Sequence, residues 1–102
     1  MTNVTTIANM TDAEAAAWAL AIIGWMARHP TGPESLTWRS FASSVAVVCD
    51  SLQWYETAET LRYCLEPFSS WWNLIYLAED DIRQAVRLER ATYNTFERRL
   101  AA

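Results

Sequence analysis

The chain has 102 residues, of which 52% are hydrophobic and six are Trp, enough for one domain around one core and no more. Its basic residues are eight arginines with no lysine, against twelve acids, for a formal charge of −4; an acidic domain of this kind is not suited to tracking the phosphates of nucleic acid. The charge is uneven: residues 50–81 hold Asp50, Glu56, Glu59, Glu66, Glu79, Asp80 and Asp81 against Arg62 alone, whereas residues 82–102 hold five arginines against Glu89 and Glu97.

In chain order, residues 1–10 are polar and rich in Thr and Asn, which predicts a flexible lead-in before a single helical domain over 11–102. They lack the charged start of a secretory signal. Thr11-Asp12-Ala13-Glu14 is a capping box that opens a first helix, and Pro30 should stop it at Arg28 or His29. On that helix Trp18, Ile22 and Trp25 share one stripe, and Ala13, Ala17, Ala21 and Gly24 form a small-residue stripe suited to close helix approach. The apolar run from Ala13 to Ala27 includes Glu14 and is shorter than the roughly 18 to 20 residues of a membrane span.

Thr31-Gly32-Pro33-Glu34 repeats the start signal, with Thr31 as the expected cap and Pro33 in the first turn. Trp38, Phe41, Val45, Val48, Leu52 and Tyr55 then recur at alternating spacings of three and four, a helical seam rather than a strand. The chain should turn between Trp54 and Thr57, with Thr57 capping a short third helix that carries Ala58, Leu61 and Leu65 and is ended by Pro67. Ser69 or Ser70 caps a long last helix from Trp71 towards Leu100, with a kink or break at Glu79-Asp80-Asp81 as the alternative, since three acids also suit a new helix start. The expected fold is all-α, a small four-helix arrangement with short connections and a long C-terminal helix.

Assembled chemistry is scarce. His29 is the only histidine and sits where an imidazole would cap a helix C-terminus. Cys49 and Cys64 are read as buried, reduced thiols, consistent with a cytoplasmic setting. The acids lack the alternating, Gly-bearing loop of a calcium site, and four Cys or His ligands for zinc are missing. No phosphate-cradling Gly loop occurs either. No catalytic residue, metal or cofactor is therefore expected. Arg83, Arg87 and Arg90 fall on one face of the last helix and form a basic stripe.

The aromatic surplus points elsewhere. Trp71 and Trp72 are adjacent and so point about 100° apart on a helix, too wide an arc for one seam. Trp and Tyr are also enriched at binding hot spots. The expected partner-binding residues are Trp71, Trp72, Tyr76 and Trp54 as anchors, with Glu79, Asp80 and Asp81 as the acidic contribution. The expected function is a non-enzymatic protein-binding module that occupies a surface of a partner protein, with a homodimer as a further association. In size, acidity, helicity and lack of chemistry the chain resembles the small inhibitors that phages and mobile elements direct at host defence, anti-CRISPR proteins among them, a resemblance of character that rests on no motif. The alternative is a helical bundle that holds a small apolar ligand or cofactor between its helices.

Overall fold

The computed structural model describes the backbone of residues 10–29 and 31–101, and side chains as far as residue 88. Apart from Met10, which packs against the core, the expected lead-in lies outside the described residues. Among those residues there are four α-helices and no strand: α1 (Asp12–Arg28), α2 (Leu36–Ser51), α3 (Tyr55–Tyr63) and α4 (Trp71–Ala101). Each packs on the next, and α4 returns to pack on α1, closing a four-membered ring. None of them, over the described residues, is long and apolar enough to cross a membrane.

The capping box forms in full at the start of α1. Thr11 Oγ1 accepts from the Glu14 amide at 3.1 Å, and Glu14 Oε1 accepts from the Thr11 amide at 3.0 Å. The Thr11 amide first, and the Thr11 hydroxyl beside it, favour the charged carboxylate and lower the Glu14 pKa. The helix ends at His29, whose Nδ1 lies 2.7 Å from the Trp25 carbonyl; a carbonyl oxygen only accepts, so Nδ1 carries the proton and the side chain caps the helix. The inward face is Ala15, Ala16, Ala19, Ile23 and Met26, which corrects the expected small-residue stripe. Of that stripe only Gly24 is buried; Ala13, Ala17 and Ala21 are exposed, because the bulk of Ile23 and Met26 turns the opposite side of the helix inward. Alanines do allow the close approach, but they are Ala15, Ala16 and Ala19.

The start of α2 is also corrected. Gly32 adopts a left-handed φ of 54°, which a first helical residue cannot have, so Thr31 caps nothing with its side chain and Gly32–Glu34 make one 3-10 turn. Ser35 is the working N-cap, its Oγ accepting from the Trp38 amide at 3.3 Å. The predicted seam buries Trp38, Val45 and Val48 and half-buries Phe41 and Leu52, whereas Tyr55 belongs to the next helix and is exposed.

The α2–α3 reversal comes earlier than the sequence suggests. Trp54 N–H donates to the Cys49 carbonyl at 2.7 Å and Gln53 N–H to the Asp50 carbonyl at 3.0 Å, the Schellman pattern, with Gln53 at φ 65° in the position usually held by Gly. Thr57 therefore lies buried inside the first turn of α3 and not at its cap. An exposed Arg62–Asp50 ion pair of 2.6 Å ties the two helices together. The helix α3 stops at Tyr63 because the Pro67 ring would meet the carbonyl four residues back. Ser69 Oγ then donates to the Cys64 carbonyl at 3.1 Å. By contrast α4 starts where expected and runs unbroken through Asp80, burying Ile75, Ala78, Ile82 and Val86. Its 31 residues span about 46 Å at the helical rise, far more than any helix it packs on.

Cys49 and Cys64 are buried free thiols. Burial pushes Cys49 up to about 12, with the Asp50 charge adding to it, and Cys64 up to about 11. Since the thiolate is the nucleophile, neither sulfur should react with iodoacetamide at mildly alkaline pH until denaturant is added, when both should react. Labelling of either thiol in the folded chain, read by mass spectrometry, would contradict this packing.

Candidate functional site

The site starts from Gly32. A Cβ there would stand 2.6 Å from the Trp71 ring, so the missing side chain is what lets the indole lie on the 3-10 turn. On its other side Trp71 meets the edge of buried Trp38, ring centroids 5.6 Å apart. Trp38 is itself fixed by an Nε1–H bond of 3.0 Å to the Met26 carbonyl. Trp71 is therefore held half-buried, and the helical pitch sends Trp72 outward, its ring edge-on to Trp71 at 5.9 Å. Trp72 remains 52% exposed and Tyr76, one turn on, 59%.

These aromatics form one wall of an open groove of about 920 Å³ between α4 and the end of α1, where Arg28 and His29 make the other wall and Ile75 part of the floor. The His29 ring stacks on Trp25 with centroids 3.6 Å apart, and Phe41 meets Trp25 edge-on at 5.2 Å. Further along, Arg83 and Glu79 close the groove, joined by an ion pair of 3.3 Å. Glu79 Oε2 and the Arg28 guanidinium both lie over Gly24, each 3.6 Å from where a Cβ would stand. That is ordinary contact with mobile side-chain ends, so Gly24→Ala should stabilise the chain by about 0.5–1 kcal/mol through helix propensity. A rise in melting temperature checks it, and a fall would show that the groove wall cannot give.

A second hollow of about 460 Å³ lies across Trp72, lined by Pro33, Leu65, Pro67 and Phe68 together with both tryptophans. Phe68 holds a φ of 62° and is fully exposed. Trp72 is thus a ridge between two concavities.

Of the residues singled out in the sequence, Trp71, Trp72, Tyr76 and Glu79 come together in the first groove. Trp54 lines a separate hollow with Tyr55, Glu56 and Ala85. Asp80 and Asp81 are outside the groove lining, since successive helical positions diverge by about 100°. Asp80 accepts from Gln84 Nε2 at 2.8 Å. Asp81 is half-buried, and its carboxyl is raised above the ordinary value by burial first, then by the charges of Asp80 and Glu56. A raised folded-state value means stability present at low pH and lost as pH rises through that value. Asp81→Asn should therefore raise the melting temperature at neutral pH, and the gain should vanish below the ordinary aspartate range near about 4. An equal gain at both pH values would contradict the electrostatic cause.

The sequence reading missed Arg28 and His29 as groove residues, and no local signal marks them, because α1 reaches α4 only through the tertiary fold. Of the basic stripe, Arg83 lines the groove, while the Arg90 side chain lies outside the described residues. Among the described residues no group of three or more His, Cys, Asp or Glu side chains is placed to hold a metal ion. Set against known proteins, the chain matches no family model, no curated protein and no solved structure.

Proposed function

We propose that this chain is a non-enzymatic protein-binding module that acts by covering a surface of a partner protein, with the α1–α4 groove and the Trp72 ridge as its contact. The carrying observation is the exposure of Trp72 and Tyr76 on a wall that Trp71, Trp38 and Gly32 hold in place. Large aromatics on a rigid support, with arginines beside them, are the usual anchors of an interface. An inhibitor of host defence, anti-CRISPR-like in character, would work in this way. A two-fold axis through the groove would set Arg28 and Arg83 of one copy against those of another, so this reading assigns the groove to a different protein and any homodimer contact to another face.

A second reading, a small apolar ligand between helices, is favoured by the groove volume, which falls within the range of ligand pockets. The arginines and the open mouth suit it less well. The separating experiment captures the partner from the native host with the full chain as bait, and then compares Trp72→Ala with Tyr63→Ala, an exposed aromatic on α3. Loss of an interface Trp should weaken association by about 2 kcal/mol or more with helicity unchanged, while Tyr63→Ala binds as before. Equal binding by both variants contradicts the proposal.

A further inference from the structure

The groove carries a charge that the molecule as a whole does not. In a chain of net −4, the groove lining holds Arg28 and Arg83 against Glu79 alone, beside His29. The acid is also withdrawn: the Glu79 side chain is 15% exposed and already engaged by Arg83, whose own side chain is 50% exposed. Arg28 is exposed and, among the described residues, has no ion pair within 4.0 Å, although its guanidinium and Glu79 Oε2 share the space over Gly24. What the groove offers a ligand is thus two guanidiniums and the faces of Trp72 and Tyr76. Guanidiniums match carboxylates in a planar, two-pronged geometry, and the aromatics call for an apolar side chain between those carboxylates.

We propose that the groove binds an acidic, apolar-anchored peptide segment of the partner protein, its carboxylates on Arg28 and Arg83 and its apolar side chain against Trp72 and Tyr76. This rests on the protein-binding reading above and names the partner's chemistry. It also departs from the sequence expectation, in which the charged contribution to the contact came from the acids Glu79, Asp80 and Asp81. A long polyanion fits less well than a short segment, because the net negative charge of the chain opposes it. The hollow across Trp72 carries Glu34 and Glu66 against Arg39, so the preference for carboxylates is confined to the α1 side of the ridge.

The test selects random short peptides on the immobilised full chain, then titrates the enriched sequences, made synthetically, against wild type, Trp72→Ala, the pair Arg28→Glu with Arg83→Glu, and the milder pair Arg28→Gln with Arg83→Gln. Helicity is measured on each. The expected peptides combine Asp or Glu with aliphatic or aromatic residues. They should bind folded arginine variants about tenfold or more weakly, as removal of a charge-assisted hydrogen bond implies, and should bind Trp72→Ala weakly as well. Neutral or basic peptides that still require Trp72 would overturn this inference and leave the protein-binding reading standing. Peptides indifferent to every substitution, or no enrichment at all, would overturn both. Displacement of the peptide by inorganic phosphate or single-stranded RNA, or a dimer mass in sedimentation that Trp72→Ala abolishes, would identify a different occupant and overturn the inference.

Discussion

Trp38→Ala should cost about 3–5 kcal/mol, the usual range for emptying a large aromatic site in a core, out of a total of about 5–15 kcal/mol for a domain. Trp38 is fully buried and joins three parts of the fold: α2, which carries it, the end of α1 through the Met26 carbonyl, and the start of α4 through Trp71. Trp38→Phe removes the hydrogen bond while keeping most of the bulk. The Met26 carbonyl also accepts from the His29 amide at 3.2 Å, so it keeps a partner, and the loss should be nearer about 1 kcal/mol than a full desolvation penalty. Urea unfolding midpoints of the two variants measure both terms. Near-equal losses would mean that Trp38 acts mainly through its N–H.

Gly32→Ala should have the second largest effect, for two separable reasons. The left-handed φ of 54° costs a Cβ-bearing residue about 1–2 kcal/mol. The new methyl would also sit 2.6 Å from Trp71, an overpacking worth about 1–3 kcal/mol unless the indole moves. If it moves, the wall behind Trp72 moves with it, so association should fall along with stability. Gly24→Ala is the matched control, a glycine whose added methyl meets only ordinary contact. Stabilisation by both alanines would show that Trp71 is not seated on the 3-10 turn.

The two glycines also show what the sequence could convey. The start and end of α1 were legible because the capping box and the proline that follows His29 each act on residues only a few positions away. The start of α2 was not, because the same capping signals surround a glycine that takes a left-handed φ and lies under Trp71, a residue far along the chain. The α2–α3 turn was hidden for a related reason: Gln53 takes the left-handed position without being Gly or Asn, so composition gave no warning and Thr57 looked like the cap. The inward face of α1 depended on which alanines meet the other helices, which helical periodicity alone leaves open.

The candidate site divides the same way. Trp71, Trp72, Tyr76 and Glu79 lie within nine consecutive positions of one helix, and their excess of aromatic surface was visible without a structure. Trp54 shares their chemistry, yet the reversal at Gln53 carries it to the hollow beside Glu56 and Ala85. The facing wall, Arg28 and His29, comes from sequence more than 40 residues away, and with it comes the positive charge that sets the partner's expected character.

The most direct test of a protein-binding surface at this groove is oxidative footprinting of the full chain, alone and saturated with its captured partner. Trp72 at 52% and Tyr76 at 59% exposure have built-in controls on α3, Tyr55 at 62% and Tyr63 at 56%, so solvent access alone does not separate the two sets. The account predicts that the partner protects Trp72 and Tyr76 while Tyr55 and Tyr63 keep oxidising at their free rates. Protection of the α3 tyrosines with Trp72 and Tyr76 unchanged would contradict it.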